Sequence, residues 1–377
     1  MSKPKFLIIT TVPQSLGFFK GQIQVLKRLF DVQLISSSGS RFDDICLQEE
    51  VKGYSVNMKR EISLFHDVVS LINLIRLFLK LKPSVVHGST PKAGLLSMFA
   101  AWLIGVPTRI YYVHGLRYQG LGGGKRKLLI LMEKMSCYFA THVFAVSFGV
   151  KGVMEKEGIT KKELSVIGNG SVNGINLNFY SKQHPDILDL REDYNLNSEN
   201  FVFGFIGRLV KDKGIQELVT SFLRIHKNEP NARLLLVGEF ESADSVDDKT
   251  KEQILMHPAI LNVGFQKDVR SFLAMMDVFV FPSYREGFGV SLMEAAAMGV
   301  PAISSDITGC NEIVKNEYNG ILIPPKSVEK LDIAMNNVIV QKDLVTHMSS
   351  VCRDYVALKY EQKMVWANTL KSYTKIF

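Results

Sequence analysis

The chain has 377 residues, 46% hydrophobic and 22% charged, too long for one ordinary core and too apolar to be disordered or fibrous. The net charge of +8 is unevenly shared: residues 1–180 hold 23 Lys and Arg against 11 Asp and Glu, and residues 181–377 hold 22 against 26. A basic first half and a mildly acidic second half predict two domains with different partners, the basic one facing nucleic acid, an anionic membrane or a phosphorylated substrate.

Short apolar runs alternate with helical patterns from end to end. In the first half, segments 6–12, 32–36, 84–89, 109–115, 142–147 and 164–169 read as strands. Helices are expected at Phe19–Leu29, Ser63–Leu81, Ala93–Ile104, Lys125–Ala140 and Gly149–Glu157. This rhythm argues for a parallel sheet covered on both faces. The first strand is too short, and lacks a small-residue cleavage site, to be a secretory signal. The long uncharged, apolar stretch Ala93 to Thr108 is 16 residues; as a helix it would span roughly 24 Å, short of a bilayer core of about 30 Å, so no membrane crossing is expected there. The polar stretch Ser181 to Asn200 interrupts the rhythm and is taken as the linker.

The rhythm resumes with strands at 201–207, 232–239, 261–265, 278–283, 301–306 and 320–324 and helices at Ile215–Lys227, Val269–Met275, Gly289–Met298, Cys310–Val314 and Val328–Val340. The expected fold class is α/β: residues 1–182 form one doubly wound domain and 200–355 a second, while a terminal helix in 356–377 packs back towards the first. In such sheets ligands collect outside the carboxyl ends of the strands, so a cleft between the two is the default site. Cys46, Cys137, Cys310 and Cys352 are too scattered for a zinc motif or a disulfide framework, and fit a reducing cytosol.

Two glycine clusters, Gly168 to Gly174 and Gly120 to Gly124, read as a tight turn and a mobile loop. The first lacks the long following helix that a dinucleotide fingerprint needs, and the second is no stronger. There is no P-loop, and no DxD to hold a metal on a nucleotide. The segment Gly207-Arg208-Leu209-Val210-Lys211-Asp212-Lys213-Gly214 follows a strand and opens a helix. Arg208 and Lys213 there can set a forked and a point-like cation beside helix N-terminal amides, which suits a diphosphate, although surface cations at helix starts are usually just solvated. Downstream, Glu286 sits past a strand end and Glu294 two turns into a helix lined with Leu, Met and Ala. A half-buried carboxylate is costly unless it accepts hydrogen bonds. Sugar hydroxyls could supply them, and so could a cap or bridge inside the domain.

Together, GRLVKDKG and EGFGVSLMEAAAMGVPAISSD resemble glycosyltransferase family 4, whose fold is GT-B: two Rossmann-like doubly wound parallel-sheet domains facing a central cleft. The spacing from Glu286 to Glu294 matches the family's paired-glutamate motif. In the first half, HGSTPKAGLLSMFAAWLIGVP, YYVHGLRYQG and SVIGNGSVNGINLNFY resemble members that extend lipid-linked glycans for bacterial capsule or O-antigen. The resemblance implies that Arg208 and Lys213 bind the donor diphosphate and that Glu294 holds the ribose. Glu286 would contact the transferred sugar, with the amides of Phe288 and Gly289 beside it. His114 would face the donor sugar, and Gly17 would lie near phosphate and acceptor, although the segment Ser15 to Phe19 holds one glycine where many members have two. His87, a lone strand-end histidine, stays outside the catalytic set. The implied reaction retains anomeric configuration and needs no metal or other cofactor. Its implied partners are a nucleotide sugar, probed first as a UDP-sugar, and a polyprenyl-diphosphate-linked sugar.

The basic half then has a use. Lys59, Arg60, Arg76, Lys80 and Lys82 accompany the apolar helix Ser63–Leu81, and Arg117, Lys125, Arg126, Lys127 and Lys134 flank the apolar run 128–135. These segments are either solvated faces over core helices or a peripheral contact with the cytoplasmic face of an anionic inner membrane. No nucleic-acid motif accompanies them. The competing functions are a nucleotide-sugar epimerase on the same fold and a non-catalytic scaffold; the intact charged set disfavours the scaffold, and the family motifs disfavour the epimerase.

Overall fold

The computed structural model describes residues 3–59, 61, 63–242 and 244–377. They form two compact units, one ending at Gly174 and taking in Gln362–Phe377, the other Ile175–Glu361.

The first unit runs β1 (Lys5–Ile9), a 3-10 helix (Pro13–Phe19), α1 (Gln22–Leu26), β2 (Asp31–Ser36), α2 (Ser40–Gln48), β3 (Lys52–Ser55), α3 (Leu64–Leu81), β4 (Val85–Ser89), α4 (Pro91–Leu103), β5 (Thr108–Val113), α5 (Gly123–Phe139), β6 (His142–Ala145), α6 (Phe148–Lys156) and β7 (Leu164–Val166). Its parallel sheet has the order β3-β2-β1-β4-β5-β6-β7. Central strands such as β1 and β4 are buried on both faces, which is why they read as unbroken apolar runs. The order reverses between β1 and β4, where Ile8 registers with His87. The loops leaving these two strands are laced together by the Thr11 and Thr90 hydroxyls, 2.7 Å apart.

The second unit runs β8 (Phe201–Ile206), a 3-10 turn (Lys211–Lys213), α7 (Ile215–His226), β9 (Ala232–Val237), α8 (Asp248–Met256), β10 (Ile260–Asn262), α9 (Arg270–Met275), β11 (Val278–Phe281), α10 (Val290–Ala297), β12 (Ala302–Ser305), β13 (Gly320–Ile323), α11 (Val328–Val340) and α12 (Lys342–Tyr360). Its parallel sheet has the order β10-β9-β8-β11-β12-β13 and reverses between β8 and β11. Helix α7 buries Ile215, Leu218, Val219, Phe222 and Ile225, the spacing of one apolar stripe facing the core. The last helix, α13 (Gln362–Ile376), belongs to the first unit, where Tyr373 Oη lies 2.9 Å from His87 Nε2 and Trp366 Nε1 donates to Asn173 at 2.6 Å.

Several expectations are corrected. The stretch 181–200 is no linker: the Arg191 guanidinium bonds the carbonyls of Met275, Asn197 and Asn200, and the Leu188 amide bonds Ser271, so it is bound into the second unit. The helix expected at Phe19–Leu29 is shortened to α1, because the chain is wound into the 3-10 helix up to Phe19 and turns at Gly21 with φ +75°. Cys310–Val314 is a turn. Strand β3 escaped notice because it is a mostly exposed edge strand with no apolar alternation. Helices α2 and α8 are short and mostly polar, and α12 buries only Met348, Cys352, Val356 and Tyr360 along one narrow stripe.

One glycine sets the geometry at the second reversal. Gly214 joins the 3-10 turn to α7 at φ +71°, and a Cβ there would lie 2.2 Å from the Pro282 carbonyl oxygen. Gly214→Ala therefore meets both left-handed strain and a backbone clash, and is expected to cost about 2 kcal/mol or more. Gly152→Ala, inside α6 in open space, is expected to stabilise by roughly 0.5–1 kcal/mol. Urea unfolding of both variants checks the pair; a Gly214→Ala midpoint at or above that of the parent refutes the clash.

Candidate functional site

The second unit brings its sequence-predicted residues to the carboxyl ends of β8 and β11, where the strand order reverses and ligands collect in open α/β sheets. Asp212 is the fastener between the two loops. Its carbonyl accepts from the Tyr284 amide at 2.8 Å, and its carboxylate takes the Arg285 guanidinium at 2.6 Å. Held this way, Lys213 Nζ meets Glu286 Oε1 in a half-buried ion pair, with side-chain exposures of 15% and 14%. Ser283 Oγ donates to the same carboxylate oxygen at 2.8 Å, and the Lys213 ammonium lies 5.1 Å from the Phe281 ring centre. Arg208 is more open and bonds Glu241 Oε2 at 2.8 Å. Both cations thus hold a carboxylate.

Glu294 is half-buried on α10, and its Oε1 accepts a 2.6 Å hydrogen bond from Tyr180 Oη. Burial pushes its carboxyl up to about 7, against the lowering effect of the tyrosine hydroxyl. The sequence reading is corrected at the start of the helix. The Gly289 amide donates to the Gly309 carbonyl at 3.0 Å, so it does not face outward, and Phe288 is buried edge-on against Tyr360 at 5.3 Å. The Gly289 amide is thus taken within the loop, and the Phe288 side chain packs it. Tyr180, Arg285 and Glu241 went unread as site neighbours, since each acts through a partner distant in sequence; Ser283, three residues from Glu286, went unread as well.

In the first unit, Gly17 lies exposed in the 3-10 helix after β1, and a Cβ there would have nothing within 4 Å. The fold itself does not require glycine at this point. The next residue, Phe18, stacks on His114 with ring centres 5.2 Å apart, while Tyr112 flanks the imidazole at 5.1 Å. His114 Nε2 is buried and lacks a hydrogen-bond partner among the described residues. Burial pushes this histidine down to about 4, so it is neutral at pH 7. His87 differs: both ring nitrogens are bonded, to Tyr373 and Ser89, and burial together with His114 pushes it down to about 3. It is a core histidine. Among the described residues, no three His, Cys, Asp or Glu side chains gather closely enough to hold a metal ion.

Known proteins resemble this chain in sequence and in fold. The model "Glycosyl transferases group 1" matches residues 186–353, and "Glycosyltransferase Family 4" matches residues 23–171. The capsular polysaccharide biosynthesis glycosyltransferase CapM of Staphylococcus aureus is 35% identical over 97% of this chain and 96% of its own length. The chain belongs to the family 4, group 1 glycosyltransferases. A second relative of this glycosyltransferase is the UDP-Gal:alpha-D-GlcNAc-diphosphoundecaprenol alpha-1,3-galactosyltransferase of Escherichia coli, 30% identical over 94% of this chain and 92% of its own. The Anabaena protein Alr3699/HepE, solved with UDP-glucose, superposes with a TM-score of 0.81 at 20% identity, covering 98% of this chain and 100% of that one. The fold is GT-B.

The half-buried carboxyl makes a stability prediction. Glu294 titrates near 7 when folded against an ordinary 4.5, so the folded state binds the extra proton between those values. Its penalty is absent below pH 4.5, grows to pH 7, and is complete above, at about 3 kcal/mol. Glu294→Gln is expected to raise the urea midpoint at pH 8 and to leave it nearly unchanged at pH 4.5; equal effects at both values contradict the assignment.

Proposed function

We propose that this glycosyltransferase moves a hexose or N-acetylhexosamine from a nucleotide-diphosphate sugar, a UDP-sugar in the first instance, to a lipid-linked glycan in bacterial surface polysaccharide synthesis, with retention of configuration. The observation that carries the reading is the union of Lys213 and Glu286 at the reversal of the second sheet, with Arg208 on the same turn. It is supported by relatives whose names specify capsule synthesis and a UDP-galactose donor with a diphosphoundecaprenol acceptor.

In this reading the donor diphosphate replaces Glu241 and Glu286 as the anion on Arg208 and Lys213, and Glu286 turns to the hydroxyls of the transferred sugar. Glu294 accepts from the ribose. The bond from sugar C1 to the diphosphate oxygen breaks, and its electron pair leaves with the nucleotide. The acceptor oxygen bonds to C1 on the same face, and its proton passes to the departing phosphate. Fixed cations answer the growing charge with no metal in the scheme, so turnover is expected to survive a chelator. A neutral His114 with an unoccupied Nε2 can hydrogen-bond a sugar hydroxyl, and the bare backbone at Gly17 leaves room for a phosphate or acceptor. The Phe288 amide stays beside the transferred sugar in this reading, and Gly289 keeps only the packing role described above.

The first unit would meet the membrane. Among the described residues no helix is long and apolar enough to cross one. Leu64, Phe65, Val68, Val69 and Ile72 are nevertheless exposed on α3, and Leu128, Leu131, Met135 and Tyr138 on α5. Lys80, Lys125, Lys127 and Lys134 lie exposed on these two helices, each contributing about 1 kcal/mol at an anionic leaflet. Arg126 is taken by Glu157 at 2.5 Å, and Arg60 lies outside the described residues. Attachment here would place the enzyme peripherally on the cytoplasmic face of the inner membrane, beside a polyprenyl-linked acceptor.

A panel of nucleotide sugars with a polyprenyl-diphosphate sugar acceptor, read by nucleotide release and product mass, tests the activity; the anomeric proton coupling of the product tests retention. Lys213→Ala is expected to lower kcat about a hundred- to a thousandfold, and near-normal turnover in both Lys213→Ala and Glu294→Ala would remove the donor-pocket assignment. Flotation with anionic vesicles at low salt, lost in 0.5 M salt, is expected for the whole protein; failure to float at any salt would remove the membrane contact.

A further inference from the structure

The carboxyl assigned to the ribose already has a partner, supplied from 114 positions earlier in the chain: Tyr180 Oη donates to Glu294 Oε1 at 2.6 Å. Among the described residues no other side chain hydrogen-bonds this carboxyl. The tyrosine is held from two sides. From α12, the Arg353 guanidinium bonds the Leu177 carbonyl at 2.8 Å and the Tyr180 carbonyl at 2.5 Å, and also bonds the Ala297 carbonyl at the end of the helix that carries Glu294. One cation thus ties both partners' backbones together. On the other side, Phe179 stands edge-on to Tyr180 at 5.2 Å. Arg270 stacks 3.6 Å over the Phe179 ring and bonds its carbonyl at 3.1 Å, while Asp268 pins Arg270 in turn.

We propose that Tyr180 is a positioning residue for the nucleotide: its hydroxyl occupies one oxygen of the Glu294 carboxylate and fixes the side chain, so that Oε2 is presented to the pentose hydroxyls. This rests on the reading of Glu294 as the ribose ligand. The chemistry suits the task. A phenol is a neutral donor that stabilises the ionised carboxylate without bringing a charge, and it leaves the second oxygen open. An arginine or lysine in its place would satisfy the carboxylate more fully and compete with the sugar. The charged groups near the pair are Arg353 on α12, Arg270 on α9 with its partners Asp268 and Asp186, and His184 and Lys182 on the preceding segment. Arg353 and Arg270 are committed to the carbonyls and carboxylates just named.

Without the phenol hydroxyl the carboxyl is left with its burial, which favours the protonated form. Protonation takes away the negative charge and turns one carboxyl oxygen into a donor, so the ribose hydroxyls are held less strongly. Binding should then weaken as pH falls, with its midpoint above that of the parent.

The test is Tyr180→Phe in the full chain, which keeps the ring and its packing. UDP, GDP and ADP are the probes, with Kd measured by calorimetry from pH 6 to 9, alongside kcat and donor KM for the sugar nucleotide that turns over. Expected are a Kd and a KM about tenfold higher at pH 7, kcat within twofold, and recovery of affinity towards pH 9. A Kd and a pH profile matching the parent overturn the proposal, as does a loss of folded protein or of kcat with the profile unmoved, which would mean a purely structural tyrosine. Glu294→Gln separates the two readings. If it raises Kd while Tyr180→Phe does not, the ribose assignment stands and the tyrosine proposal falls; if it leaves Kd unchanged, or the parent binds none of the three probes, the ribose assignment falls and takes the proposal with it.

Discussion

The contact between Lys213 and Glu286 depends on one topological fact: the second sheet runs outward in both directions from β8 and β11. Helices leaving those two strands cover opposite faces, and the loops that open them are left facing each other. A cation at one loop and an anion at the other can then meet across a gap that packing does not fill. The pair is half-buried, so neither charge can be left alone cheaply; stripping one partner from a buried pair typically costs 3–5 kcal/mol. An incoming diphosphate is one of the few groups that can take over the cation without leaving it unpaired. The Asp212 bonds to Tyr284 and Arg285 keep the two loops in register.

Burial also shapes chemistry within each unit, through proton affinity. Glu294 and His114 are each pushed towards the neutral form, one in each unit. The carboxyl sits in an apolar helix with a single phenol against it, and the imidazole sits between aromatic rings with an unbonded nitrogen. Both are states that stability alone would not select, and groups held in this way concentrate where a ligand completes them. His87 is the internal contrast. It is more deeply buried, yet both nitrogens are bonded, which leaves nothing to recognise.

The first unit distributes its charge differently. Its sheet core is closed, while α3 and α5 leave apolar side chains uncovered beside lysines that have room to reach an anionic surface. Not every basic residue on this face is available: Arg126 is spent on Glu157. Net charge therefore overstates how many cations this face has free, and exposure decides which they are.

The sequence by itself determined the strand-and-helix rhythm, the division into two parallel sheets, and the identity of the charged set Arg208, Lys213, Glu286 and Glu294. Each of these depends on short-range spacing: apolar runs for buried strands, Gly214 for a turn that no side chain permits, a carboxyl placed on an apolar helix. The edge strand β3 carries no such pattern, because water covers much of it, and the turn at Cys310–Val314 has a helix-like composition without the helix. The stretch 181–200 is polar, yet it is fastened to its unit by Arg191 on the Met275 carbonyl and by the Leu188 amide on Ser271. Only the tertiary structure decided which charges pair, that the Gly289 amide is taken by Gly309, and that Tyr180 reaches Glu294. Those outcomes depend on strand order and on hydrogen bonds that span tens to more than a hundred residues, and spacing along the chain contains no record of them.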